Sequence, residues 1–151
     1  MDTIDIKILD LLQKDATLSA SRIAEIVNLS KTPCWRRIQN LEKQGLIERK
    51  VALLNREKLD RGMDVFVTIR TNQHNASWFK KFSDVVTGFP EVVEFYRMSG
   101  EVDYLLRVVV GDMKAYDRFY QRLIEKIDIS EVNSNFAMEQ IKYTTAIPIT
   151  R

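Results

Sequence analysis

A chain of 151 residues can hold one domain or two small ones, and 45% hydrophobic with 29% charged residues is the balance of an ordinary globular protein. One cysteine, Cys34, excludes an intrachain disulfide, and with His74 the only histidine a Cys/His zinc centre is excluded too, so neither metal nor cofactor is expected. The net charge of +2 is uneven: residues 1–62 hold twelve Lys/Arg against nine Asp/Glu and the rest eleven against twelve, which points a polyanionic partner at the N-terminal part.

The start, Met1-Asp2-Thr3-Ile4-Asp5, has no basic stretch leading into an apolar run, and no apolar segment approaches the ~20 residues of a membrane span. A cytoplasmic location without a membrane partner is expected. Residues 2–14 carry Ile4, Ile8, Leu11 and Leu12 at helical spacing, with Asp2 placed to cap them. After the break at Asp15-Ala16-Thr17, a second helix follows Ser19 and turns Ile23, Ala24 and Val27 inward. Asn28-Leu29-Ser30 makes a tight turn into a third helix, with Ser30 as N-cap, Pro33 in the first turn and Gly45 as a left-handed stop before Leu46.

On that third helix Cys34, Ile38 and Leu41 share one face, which gives the lone thiol a packing role. Lys31, Thr32, Trp35, Arg36 and Gln39 take the opposite face, flanked by Arg37, Asn40 and Lys43. Two short helices joined by a tight turn form a helix-turn-helix, and a basic, amide-bearing face suits the major groove of double-stranded DNA. Thr32, Arg36 and Gln39 are the expected base readers, Arg36 for guanine and Gln39 for adenine. Ser30, Lys31, Trp35, Arg37 and Arg49 are expected on phosphates, with packing the alternative for Trp35. The competing readings are a charged surface helix or a three-helix bundle without a ligand. Ile47–Asn55 reads as an extended strand, the wing of a winged helix, with Arg49 and Lys50 within reach of the DNA backbone. Polar residues 55–62, closing on Gly62, read as a hinge.

The second half alternates as a sheet does. Met63–Thr71 is a strand, Asn75 caps a helix over 76–87, Val92–Met98 and Asp103–Val110 form a hairpin, Asp112 caps a helix to about Ile127, and Glu131–Tyr143 is a last strand. Met113, Tyr116, Tyr120, Leu123 and Ile127 form the expected buried stripe of the second helix. This βαββαβ order is the ferredoxin-like arrangement. Two helices cover one face of such a sheet, and a second subunit is the natural cover for the other. The fold class is therefore α+β, with a helix-turn-helix domain over 1–47, wing and hinge over 48–62, and a ferredoxin-like domain over 63–151, to which the resemblance described below assigns effector binding and oligomerisation.

No glycine-rich phosphate loop is present: the five glycines, at 45, 62, 88, 100 and 111, each sit at an element end. Gly100-Glu101-Val102-Asp103-Tyr104 places two carboxylates, a flexible glycine and an aromatic ring in the hairpin turn. A solvated turn is the plain reading. A small-ligand site is the sharper one, because carboxylates hold an ammonium group and turn amides hold a carboxylate, and an amino acid has both.

Several stretches together resemble the Lrp/AsnC, or feast/famine, family of transcriptional regulators over essentially the full chain. They are Asp5-Ile6-Lys7-Ile8-Leu9, Leu29-Ser30-Lys31-Thr32-Pro33-Cys34-Trp35-Arg36-Arg37-Ile38, Leu41-Glu42-Lys43-Gln44-Gly45-Leu46-Ile47, Gly100–Leu105 and Ile141–Pro148. The resemblance implies a winged helix-turn-helix regulator that dimerises through its second domain, assembles into octamers, and binds an amino-acid effector near Gly100, Glu101, Asp103 and Tyr104, with Met98, Ser134 and Asn135 completing the pocket. Within the family, Thr32-Pro33-Cys34-Trp35, Lys50–Leu54, Arg97-Met98 and Phe136–Thr145 are similar to regulators of cysteine breakdown, which implies L-cysteine as effector. A leucine-type effector is the alternative. Outside this class stand a metabolite-binding module without DNA activity and an enzyme, the latter disfavoured by the single histidine.

Overall fold

The computed structural model describes residues 1–149 and divides into two units: Met1–Leu53 with the chain from Ile141 onward, and Leu54–Gln140. In the first unit, each helix begins where local chemistry satisfies its free amides. In α1 (Thr3–Lys14) the Asp2 carboxylate accepts from the amides of Ile4 and Asp5, and Asp5 accepts in return from the Asp2 amide at 2.8 Å, a capping box. In α2 (Ala20–Ile26) Ser19 Oγ accepts from the Arg22 amide. The third helix, α3 (Lys31–Lys43), starts at Ser30 with Pro33 in its first turn.

Both α2 and α3 stop in the same way. Asn28 lies at φ 56° and Gly45 at φ 72°. The Leu29 amide returns to Ala24 O at 2.9 Å, and the Leu46 amide to Leu41 O at 3.0 Å, the six-to-one bonds of a Schellman motif. The turn between α2 and α3 is thus set by one left-handed asparagine. Ile8, Ile23 and Cys34, each fully buried, form the centre of the core with Leu12, Ala24, Val27, Ile38 and Leu41.

After α3 the expected wing strand over 47–55 has no regular secondary structure. A strand needs a neighbour to take its amides and carbonyls, and among the described residues none pairs with it. Lys50 is instead drawn to Glu42 at 2.8 Å. The tail meets α1: the Ile147 amide donates to Gln13 Oε1 at 2.9 Å and Gln13 Nε2 donates to Ile147 O at 3.0 Å.

The second unit has β1 (Met63–Arg70), α4 (Ala76–Thr87), β2 (Val92–Arg97), β3 (Tyr104–Val110), α5 (Met113–Lys126) and β4 (Glu131–Phe136), preceded by a single 3-10 turn at Glu57–Leu59. All pairings are antiparallel and the sheet order is β2-β3-β1-β4, the ferredoxin-like topology. Val65, Val67, Ile69, Leu106 and Val108 meet Phe82, Val86, Phe119 and Leu123 in a dry core between sheet and helices. On α5 it is Phe119 that is buried, while Met113 of the expected stripe is 56% exposed.

The last strand ends at Phe136 rather than running to Tyr143. Its partner β1 begins at Met63, so after the Ala137 amide reaches Asp64 O at 3.0 Å the ladder has nothing left to pair with. At the far end of β3, a Cβ on Gly111 would stand 2.5 Å from Asp60 O, so that close approach admits only glycine.

Candidate nucleic-acid interface and effector turn

Cys34, Ile38 and Leu41 are buried, which turns the rest of α3 outward. Lys31, Thr32, Arg36 and Gln39 are all exposed, and Trp35 is 52% exposed, so the indole projects instead of packing. Ser30 caps by backbone alone: its side chain makes no cap bond, which leaves the hydroxyl available. Gln39 Nε2 donates to Glu42 Oε2 at 3.0 Å, and the same carboxylate holds Lys50, so α3 and the segment carrying exposed Arg49 are joined through Glu42.

Arg37 differs from its neighbours. Its guanidinium lies 2.7 Å from a carboxylate oxygen of Asp2 and 2.7 Å from one of Asp5, tying α3 to the head of α1. Hydrogen bonds to Asp5 and then Asp2 push its pKa up, and the Asp5 amide followed by Arg37 holds the Asp2 carboxyl below its ordinary range. Expected on a phosphate, Arg37 is occupied inside the unit. Burial pushes the Cys34 thiol up, so it stays protonated and unreactive at neutral pH.

In the second unit, the turn between β2 and β3 is pinned to the end of β1. The Asp103 amide donates to Ile69 O at 2.9 Å, the Thr71 amide donates to Asp103 Oδ2 at 2.8 Å, and the Met98 amide donates to Asp103 O at 2.8 Å. Gly100 sits at φ 118°, a conformation open to glycine and costly for other residues. Arg70 donates to Glu101 O, and its guanidinium lies 3.7 Å from the carboxylates of Glu101 and Glu131. Met98, Gly100, Glu101, Asp103 and Tyr104 therefore gather at one end of the sheet.

Ser134 and Asn135 do not join them within the chain. They stand on β4, two strands from β3, and face opposite sides of the sheet. Ser134 lies toward the helices in a hydrogen bond with the Tyr116 hydroxyl, and Asn135 Nδ2 donates to Phe66 O.

Tyr104 is 7% exposed, among the rings of Trp78, Phe79, Phe82 and Phe95, and burial pushes its pKa up. Beside it opens a cavity of about 290 Å³, lined also by Gln73, His74, Asn75, Phe79 and Arg97. Arg97 and His74 are absent from the residues expected from sequence. The signal for Arg97 is the hairpin register: it lies directly across from Tyr104, so both side chains take the same face.

The profile of the Lrp/AsnC ligand binding domain matches residues 64–147, and that of the winged helix-turn-helix DNA-binding domain matches residues 1–48. The DNA-binding transcriptional activator DecR of Escherichia coli strain K12 is 54% identical over 150 residues, covering 99% of each chain. A crystal structure of an AsnC family transcriptional regulator from Agrobacterium tumefaciens superposes with a TM-score of 0.95 at 61% identity, covering 98% of this chain and 97% of that one. A transcriptional regulator of Neisseria meningitidis, solved as its L-Met complex, gives a TM-score of 0.93 at 33% identity, with 98% and 96% covered. These relatives are regulators rather than enzymes, and with a winged helix-turn-helix joined to a ligand-binding sheet domain the chain belongs to the Lrp/AsnC family of DNA-binding transcriptional regulators.

Proposed function

We propose that the protein is a sequence-specific regulator of amino-acid metabolism whose hold on DNA is adjusted by a small amino acid. The observation that carries the DNA half is the outward face of α3, where Lys31, Thr32, Trp35, Arg36 and Gln39 stand exposed over a fully packed inner face. Thr32, Arg36 and Gln39 read base edges, while Ser30, Lys31, Trp35 and Arg49 meet phosphates. Arg37 serves by orienting α3 on α1. Replacing Arg36 with alanine is expected to cost about 1–3 kcal/mol on the specific site and to relax base preference at one position. Binding titrations on specific and random duplexes check it. An equal loss on both would reassign Arg36 to the backbone.

The effector half rests on the turn at Gly100–Tyr104. L-cysteine is the first candidate, from the likeness to regulators of cysteine breakdown, and the L-Met complex of the Neisseria relative supports a sulfur-containing amino acid. A leucine-type effector is the second. Asp103 has two tasks in this reading: it anchors Thr71 through one oxygen and offers its charge to the effector's ammonium group. Asp103→Asn keeps an oxygen for the Thr71 amide and removes the charge. DNA binding without effector should be unchanged in that variant, and the response to effector lost; a retained response in a gel-shift series removes Asp103 from the pocket.

Assembly follows from the sheet. Its uncovered face carries Phe66 at 38% and Tyr96 at 49% exposure, and a second copy laid on it makes the homodimer from which octamers are built. Ser134 and Asn135 enter the effector site only through an adjoining copy. Among the described residues no helix is long and apolar enough to cross a membrane. A regulator of this kind works in the cytoplasm, beside its DNA.

A further inference from the structure

We propose that the small pocket at the head of α4, bounded by Arg97, His74, Asn75 and Tyr104, receives the carboxylate of the effector. The proposal rests on the amino-acid reading of the neighbouring turn and adds to it a place for the acid group.

The first observation is Tyr104. Its side chain is 7% exposed and lines the cavity, yet its hydroxyl makes no hydrogen bond with any described residue. The ring is packed, but the hydroxyl is not sealed from solvent, so it stands free at the cavity to meet an incoming acceptor. Neutral at physiological pH, it offers that acceptor a proton. The second is Arg97, across the hairpin in register and close enough for its charge to act on the phenol. Arg97 makes no ion pair among the described residues, and a free guanidinium is the side chain best shaped for a carboxylate.

The third is the start of α4. Asn75 takes up the Trp78 amide through its side chain at 2.8 Å and the Phe79 amide through its carbonyl at 3.1 Å. The amides of Ala76 and Ser77 remain unbonded among the described residues, at the end of the helix where the peptide dipoles favour negative charge. His74, just before the cap, adds an imidazole to the rim.

One anionic group stands near the pocket without lining it. The Asp103 carboxylate adjoins Tyr104 and acts on it in the sense opposite to Arg97. A simple anion would be repelled by it. An amino acid would not, since its ammonium group can turn toward Asp103 while its carboxylate meets Arg97 and Tyr104. At about 290 Å³ the cavity stands at the low end for ligand sites, which suits a molecule of that size and no larger cofactor.

Calorimetric titration of the full chain with each of the twenty amino acids, as free acid and as primary amide, tests this. The wild-type protein is expected to bind at least one acid about 10-fold or more tightly than its amide, as a charge-assisted bond to a carboxylate requires. In Arg97→Gln and in Tyr104→Phe the acid should weaken toward its amide, while affinity for the amide stays put. Arg97 is exposed and the phenylalanine keeps the packed ring, so both variants should retain the wild-type circular dichroism. Should a free acid bind either variant with the wild-type preference over its amide, the pocket is wrong and the effector turn stands. Should no amino acid bind the wild-type protein, the effector reading falls and the pocket with it.

Discussion

Asp64 shows how far a single side chain can be removed from water when its partners are fixed. It is 6% exposed on the face of β1 away from the helices, with Arg56 at 2.7 Å on one oxygen and Arg107 at 2.8 Å on the other, and Arg107 also reaches Glu94 at 2.8 Å. Burial works to raise the carboxyl pKa, but the hydrogen bonds and charges of Arg56 and Arg107 outweigh it, and the net shift is downward. A depressed carboxylate contributes stability that is fully present above about pH 4 and is lost as pH falls through its lower folded value. Asp64→Ala would strand Arg107, whose side chain is only 14% exposed, and is expected to cost about 3 kcal/mol at pH 7. Urea unfolding at pH 7 and again near pH 3 measures this, with the penalty smaller at the lower pH because the unfolded carboxyl takes up its proton there before the folded one does.

Among the elements, the α2–α3 turn carries the sharpest expectation. Asn28 holds φ 56° so that Leu29 can return its amide to Ala24, and this turn sets where α3 begins. A β-branched residue in that conformation costs about 1–2 kcal/mol, while glycine is accepted without strain. Asn28→Val should therefore lower the unfolding midpoint and weaken DNA binding together, and Asn28→Gly should leave both close to wild type. Thermal unfolding followed by duplex titration distinguishes that outcome from a turn that merely tolerates any residue. This turn, the capped starts of α1, α2, α4 and α5, and the stop at Gly45 were legible from sequence because each is settled within about six residues of chain. The lack of a regular strand over 47–55 and the end of β4 were not, since a strand exists only against a neighbour and β1 runs out at Met63. The pairing of Arg37 with Asp2 and Asp5 was not legible either, since it depends on α1 folding across the edge of the basic face. The turn at Gly100–Tyr104 was legible as a cluster. Its neighbours Arg97 and His74 were not, because one comes from the register of a hairpin and the other from the loop before α4.

For the whole molecule, the proposed dimer would use the uncovered face of the sheet to bring two recognition helices together. Phe66 lies near the centre of that face on β1, between Arg107 on β3 and Asn135 on β4 in register. Phe66 is 38% exposed, so in the single chain the carboxylate of Phe66→Asp is solvated by water and the fold should persist. Against a second sheet the same carboxylate would lose its water beside an Arg107 already held by Asp64 and Glu94, which costs several kcal/mol. Sedimentation should then show the variant as a monomer with an unchanged circular dichroism spectrum. DNA binding should fall much further than any single contact explains, because two linked recognition helices bind with an effective concentration that a monomer forfeits, worth about 10²–10⁴ in affinity. A variant that keeps the wild-type mass would place the dimer contact on another surface. A variant that becomes monomeric yet binds DNA as before would mean that each α3 acts alone, and the need for paired half-sites would go with it.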